Sequence, residues 1–301
     1  MSVDLSVKLA GLPLRNPLMP GSGPPGDSLS KLRRLEAAGI GALVTKTISI
    51  KVPHVPKPCM AFDGDLFFNV EKWSDRPYQE WLEKILPALA QRSVPLIVSL
   101  GYSQEDLARL IPLFDPLVDG FELSTHYVAG GATQLADTVR MVKRLTVKPL
   151  IMKLSAHGGD IVERAQACEH GGADAIAAIN SIGPVLSIDI DKRASRLGEE
   201  QPYAWLSGPA IKPLALRAVY DIARAARIPV IGCGGIANAR DVIEFVLAGA
   251  TAVQMCTALI RQSADLIPQI LNDLNAWCEG HGISTLSDLR GTVTPHFVAS
   301  Y

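Results

Sequence analysis

Hydrophobic and polar positions recur along the chain with two different periods, and the switches between them divide it into units. At the start, Val3, Leu5, Val7 and Leu9 alternate with Ser2, Asp4, Ser6 and Lys8. A period of two predicts a short strand with one buried face. The turn at Gly11–Pro13 then predicts a small hairpin. Further on, "VPLIVSLG" (94–101), "KPLIMKLS" (148–155) and "IPVIGCGG" (228–235) are apolar runs, each entered through a proline: Pro95, Pro149 or Pro229. A strand tolerates proline at its first residue, and unbroken apolar runs are strands buried on both faces. A second pattern is shared by "AAGIGALVTK", "HGGADAIAAIN" and "LAGATAVQMC". There a helix stops at glycine and a buried strand follows a short turn.

Interleaved, these patterns predict strands near 17–22, 42–47, 95–101, 120–125, 149–155, 175–181, 229–235 and 252–258. Amphipathic helical segments at 28–39, 103–114, 131–145, 159–171, 213–226, 238–248 and 263–276 separate most of them. Eight strand–helix units predict an α/β fold, a (β/α)8 TIM barrel behind an N-terminal β-hairpin. A doubly wound open sheet is the alternative, but no GxGxxG follows the first strand. Two connections are long: 48–77 after strand two and 182–212 after strand six. Both follow the carboxyl end of a strand, where barrel sites are built. Their aromatics Phe67, Phe68, Trp73 and Trp205 are expected to line a pocket.

Composition narrows the class. The 301 residues are 48% hydrophobic and 20% charged, which supports a large core. A net charge of −1 and the lack of a Lys/Arg run argue against nucleic acid or an anionic membrane as partner. No segment approaches the roughly 18 uninterrupted apolar residues of a membrane span. "MSVDLSVKLAGL" has no basic segment leading into an apolar one, so no signal peptide is expected. Cys59, Cys168, Cys233, Cys256 and Cys278 form no CxxC pair and no short Cys/His spacing. They read as reduced thiols of a cytoplasmic protein, with no metal site.

Candidate chemistry gathers at the predicted strand ends. In "VIGCGGIAN", Gly232, Gly234 and Gly235 let backbone N–H groups crowd an anion, and a helix follows. "VQMCTA" brings Cys256 and Thr257 to the end of strand eight. Loops after strands seven and eight are the usual phosphate site of this fold, so a phosphate-bearing cofactor or substrate is expected. Lys46 and Lys153 interrupt apolar runs at the ends of strands two and five. A buried ammonium needs a partner. Either lysine could hold an electron-rich ring, or one could form a Schiff base. Asn69, Asn180 and Ser181 offer donors and acceptors to a polar ring. "FELSTHYVAGG" (121–131) places Ser124, Thr125, His126 and Tyr127, four proton-carrying side chains, after strand four.

Six stretches carry a resemblance that covers essentially the whole chain: "NPLMPGSGPPG" (16–26), "VTKTIS" (44–49), "IMKLS" (151–155), "AAINS" (177–181), "LSGPAIKPLALR" (206–217) and "PVIGCGGIANARD" (229–241). The chain resembles the dihydroorotate dehydrogenase family of FMN enzymes on a (β/α)8 barrel. The resemblance implies one FMN-binding barrel domain over residues 1–301. Gly21 and Ser22 would touch the flavin ring. Lys46 with Thr47, Lys153 and Asn180 would bind its polar edge. Ser207–Gly208, Gly234–Gly235 and Cys256–Thr257 would take the phosphate end, with Cys256 where the family has glycine.

The substrate side departs from the family. Relatives keep a cysteine or serine base in an Asn-x-Ser-Cys/Ser-Pro-Asn loop after strand four. Here Tyr127 takes the base's place, and Ser124 and Ala129 replace two of the four asparagines, while Asn69 and Asn180 remain. "VEKWSDRP" brings Lys72 and Trp73 where the family continues with Gly-Leu-x-Asn. Asn69, Lys72, Ser124, Asn180 and Ser181 are therefore the expected substrate residues, and Tyr127, His126 and Lys153 the catalytic ones. A tyrosine is a poor base but a competent acid at neutral pH. The expectation is hydride transfer between FMN and a CH–CH or C=C bond of a small polar ring other than dihydroorotate, in the reductive direction. A Schiff-base lyase or aldolase on the same barrel, or a flavin-binding homologue without catalysis, are the alternatives. The resemblance also implies a homodimer, and a separate electron-transfer subunit as some relatives use.

Overall fold

In the computed structural model, which describes residues 3–101, 103–124, 131–157, 159–198 and 200–295, the first alternation folds into strands β1 (Val7–Leu9) and β2 (Leu12–Leu14). Ala10 and Gly11 between them have φ of 49° and 88°, as a two-residue hairpin turn requires. The paired strand is shorter than the alternation, because Asp4 bridges to Thr285 instead.

Strand β3 (Leu18–Pro20) then leads through helix α1 (Leu29–Ala37) to β4 (Leu43–Val44). A second hairpin follows, β5 (Met60–Asp63) with β6 (Leu66–Asn69). Helical turns α2 (Tyr78–Glu80) and α3 (Leu86–Ala88) precede β7 (Leu96–Leu100). Regular alternation resumes with α4 (Gln104–Phe114), β8 (Gly120–Ser124), α5 (Ala132–Lys143), β9 (Leu150–Leu154), α6 (Ile161–Gly171) and β10 (Ala175–Ala178). Four short strands come next: β11 (Ile182–Val185), β12 (Ile188–Asp189), β13 (Ala194–Ser195) and β14 (Ala204–Ser207). The last units are α7 (Lys212–Ala225), β15 (Val230–Cys233), α8 (Ala239–Leu247), β16 (Ala252–Met255), α9 (Thr257–Gln262) and α10 (Leu266–Gly280).

Eight of these strands form one parallel sheet in the order β3-β16-β15-β10-β9-β8-β7-β4. Its outer strands meet where the Gly41 N–H donates to the Leu18 carbonyl at 2.9 Å. The sheet thus curls into a nearly closed (β/α)8 barrel, the fold expected from the sequence.

Side chains facing the barrel axis follow the strand period of two. Met19, Val44, Ile97, Ile151, Ala175, Ala177, Ile231 and Ala252 form an apolar interior, joined by Leu9 and Leu14 of the amino-terminal hairpin. One step nearer the carboxyl ends the same columns turn polar. Ile97 gives way to Ser99, Ile151 to Lys153, Ile231 to Cys233 and Ala252 to Gln254, all of them buried.

The two long connections are built into each other. Strands β11, β14, β6 and β5 form an antiparallel sheet in that order, with Trp205 opposite Asn69 and Leu206 opposite Phe68. Phe68 packs with Val70, Leu197 and Ala204 in a small core of this lid sheet. This corrects the expectation that Phe68 lines the pocket: period two turns it away while Phe67 and Trp205 face the cavity. Among the described residues no helix is long and apolar enough to cross a membrane, and no His, Cys, Asp and Glu cluster could hold a metal ion.

Candidate active site

The strand ends of the barrel and the underside of the lid sheet enclose a cleft holding about 1360 Å³ of empty space, open solvent included. At its floor lies a buried charge network drawn from three strands. Lys153, on β9, donates from Nζ to Gln254 Oε1 at 3.0 Å and to Ser22 Oγ at 3.4 Å. Gln254 Nε2, on β16, donates in turn to Glu122 Oε2, on β8, at 2.5 Å. Glu122 is fully buried, and its Oε1 accepts no hydrogen bond but lies 3.9 Å from Lys153 Nζ. Burial by itself disfavours the Lys153 ammonium. The neighbouring Glu122 carboxylate opposes that, and the lysine's pKa is held above its ordinary value. Lys153 is therefore a cation at neutral pH.

One wall is glycine-rich. Gly234 and Gly235 follow β15 with φ of 126° and 81°. A Cβ on Gly235 would stand 2.7 Å from the Lys212 Cβ, so the backbone adopts a path open only to glycine. Ser207 and Gly208 from β14, and Cys256 and Thr257 after β16, complete this wall, with Arg261 at its rim. Cys256 finds its room at the expense of two other positions. A Cβ at Gly23 would lie 2.9 Å from its Sγ, and one at Gly21 would lie 3.2 Å from its Cβ. Burial pushes the Cys256 thiol up to about 12 and also raises Cys233. Both thiols keep their protons at neutral pH and are not nucleophiles.

The opposite wall comes from the second strand end and the lid. Asn69 donates from Nδ2 to the Trp205 carbonyl at 3.3 Å and lies 3.5 Å from Ser207 Oγ. Asn180 Nδ2 donates to Ser124 Oγ at 3.4 Å, and its Oδ1 accepts from the Ser181 N–H at 2.9 Å. Lys46 is 5% exposed and does not reach the cleft. Its Nζ is paired with Glu71 Oε2 at 2.5 Å, and Glu71 faces the cavity in its place.

The structure gathers most of what the sequence singled out. All the expected substrate residues line the cleft, as do all the expected cofactor residues except Lys46. Tyr127 and His126 lie outside the described residues. Ser124, the last described residue before them, does border the cavity. Four functional candidates escaped the sequence reading: Glu71, Glu122, Cys233 and Gln254. Glu122 in "FEL" and Gln254 in "VQM" carried a signal, a polar residue inside a strand buried on both faces. Their pairing across the barrel is not local and has no motif.

A family model described as dihydroorotate dehydrogenase matches residues 4–277. The chain belongs to the dihydroorotate dehydrogenase family. It is 38% identical over 307 aligned positions to the "Dihydroorotate dehydrogenase B (NAD(+)), catalytic subunit" of Pelobacter propionicus, covering 97% of this chain and 99% of that one. A protein of the same name from Geobacter sp. strain M21 is 36% identical over 96% and 98% of the two chains. One from Pyrococcus horikoshii is 35% identical over 95% and 97%. As a dihydroorotate dehydrogenase family member the chain is an oxidoreductase, and its (β/α)8 barrel is the one that the resemblance implied.

Proposed function

We propose that this chain is an FMN-dependent oxidoreductase that interconverts dihydroorotate and orotate, acting as one domain over residues 1–301. The observation that carries this reading is the buried Lys153 ammonium, braced by Gln254 and Glu122 on the floor of a cleft whose far wall is glycine backbone. A cation there suits the electron-rich edge of a flavin. Close-approaching backbone at the ends of β15 and β16 suits a phosphate. Bound FMN would supply a two-electron hydride acceptor. Lys153 would favour negative charge on the reduced ring. Asn69, Asn180, Ser124 and Ser181 would orient the substrate ring. Tyr127 or His126, just beyond Ser124 in the sequence, would carry the proton.

The expectation of a ring other than dihydroorotate has no support from the relatives, whose names favour dihydroorotate. Those names also specify a catalytic subunit, so a separate electron-transfer subunit and NAD(+) are proposed for this chain too. Pairing of two copies is proposed from the resemblance alone. The lyase alternative is weakened because Lys153 is held by Gln254 and Ser22 and Lys46 by Glu71, whereas a Schiff base needs a lysine amine presented to the carbonyl. The test is direct. Purified protein should be yellow and release FMN, and anaerobic dihydroorotate should bleach the flavin band. Tyr127→Phe should slow that bleaching by about 10²–10⁴-fold, the usual worth of a positioned acid–base group. Colourless protein that is trapped on lysine by borohydride with a carbonyl substrate would overturn the proposal. If Tyr127→Phe and His126→Ala both bleach at full rate, the proton passes elsewhere.

A further inference from the structure

Trp205 is set into the cleft wall by contacts from two different elements. Along β14 the strand period turns Trp205 and Ser207 to the cavity, while Leu206 packs into the lid. The first contact is with Gly183 on β11, two residues beyond Ser181. A Cβ there would come within 2.4 Å of Trp205 Cε3 and 2.9 Å of Cδ2, so the indole occupies the room that a side chain would need. The second is with His157, in the loop after β9. Its ring centroid lies 5.5 Å from that of Trp205 at an interplanar angle of 32°. Trp205 lines the cleft, whereas His157 is not among the lining residues.

The His157 backbone is tied to the barrel. Arg164 on α6, 5% exposed, donates through Nη1 to the carbonyls of Ser155 at 3.0 Å and His157 at 2.6 Å. Asp160 caps the same helix, accepting from the Val162 and Glu163 N–H groups at 2.8 and 3.4 Å. Burial, aided by the Arg164 charge, lowers the His157 pKa below the ordinary histidine value, so the ring is neutral at neutral pH. A neutral ring packs against an indole without the cost of desolvating a charge. Through Gly183 the indole also stands beside the Asn180–Ser181 turn, the end of the cleft where the substrate ring is proposed to sit. A wall that cannot retreat rejects an added group by overlap, and one methylene in a pocket is worth about 10–200-fold in discrimination.

We infer that Trp205 is a specificity-determining wall that restricts the substrate end of the cleft to small rings without added alkyl groups, and that His157 is the positioning residue that holds it there. This rests on the reading of the cleft as an FMN redox site for a small ring and adds to it a limit on the size of that ring.

The test compares rings that differ by one methyl group. Orotate and its N-methyl and 5-methyl derivatives are titrated calorimetrically into FMN-supplemented wild-type protein, Trp205→Ala, His157→Ala and His157→Phe. In Trp205→Ala the affinity of at least one methyl derivative relative to orotate should rise by about tenfold or more. His157→Ala should move the same ratio in the same direction by about threefold or more, although it removes no lining residue. His157→Phe keeps a ring against the indole and should keep the wild-type ratio. Should Trp205→Ala not fold, Trp205→Phe is read in its place and should move the ratio by about threefold or more. An unchanged ratio in the Trp205 variant would overturn the wall. An unchanged ratio in His157→Ala, or a shift in His157→Phe as large as in His157→Ala, would overturn the positioning role. Failure of the broader reading looks different: protein that takes up no FMN fails that reading and this inference with it, whereas FMN-loaded protein with unchanged ratios fails this inference alone.

Discussion

Lys153 and Glu122 show how one residue's charge depends on another that no motif links to it. Each is nearly or fully buried, and Gln254 joins them by one hydrogen bond on either side. Removing one partner of a buried ion pair strands the other in a medium that cannot solvate it. Lys153→Ala should therefore cost about 3–5 kcal/mol in urea unfolding. The double variant with Glu122→Gln should recover part of that loss, because the stranded charge is gone. Equal stability of the single and double variants would show that the two do not act as a pair. Lys153 was legible in the sequence because a lysine inside "IMKLS" has no other account. Lys46 was legible for the same reason, yet its partner Glu71 was not, since in "VEKWSDRP" Lys72 and Trp73 drew the substrate reading and no motif links Glu71 to the end of β4. Gly234, Gly235 and Cys256 fell where the turn chemistry placed them.

At the level of elements, the barrel strands were readable to within three residues, the largest overruns being at the carboxyl ends of β4, β10 and β16. "KPLIMKLS" became β9 at Leu150–Leu154, and "IPVIGCGG" became β15 at Val230–Cys233. Burial on both faces leaves a continuous apolar run, which is a strong signal. The lid sheet was not readable. Its strands are only four residues long, and exposed positions such as Phe62 mix with buried ones such as Phe68. Its pairing joins segments far apart in the chain, Phe67–Asn69 with Trp205–Ser207. One glycine holds the aromatic in place: a Cβ on Gly183 would come within 2.4 Å of Trp205 Cε3. Gly183→Val should displace Trp205 and raise the KM for the ring substrate. The barrel's unfolding free energy should change by less than about 1 kcal/mol, because the substitution lies outside its core. Hydrogen exchange over 182–207 should rise while that of β9 and β15 stays slow. A KM unchanged by the substitution would separate Trp205 from substrate binding.

For the molecule as a whole, the apolar interior and the polar mouth are two ends of the same strands, so ligand binding and folding are coupled. A ligand that binds only the folded barrel stabilises it by an amount set by its concentration over Kd. FMN at 100 times its Kd should add about 2.7 kcal/mol. For a chain somewhat beyond the surveyed sizes, each kcal/mol corresponds to about 2–4 °C in Tm or slightly less. A thermal melt that FMN leaves unmoved would show that the cleft does not take it. The amino-terminal hairpin has a further consequence. Leu9 and Leu14 seal the far end of the barrel, and Leu12 Cδ1 sits 3.6 Å from where a Cβ on Gly120 would be, at the start of β8. Among the described residues the hairpin is thus a plug for the barrel floor, so Leu14→Ala should lower the unfolding free energy by about 2–5 kcal/mol in urea melts while the cleft at the opposite strand ends keeps its shape.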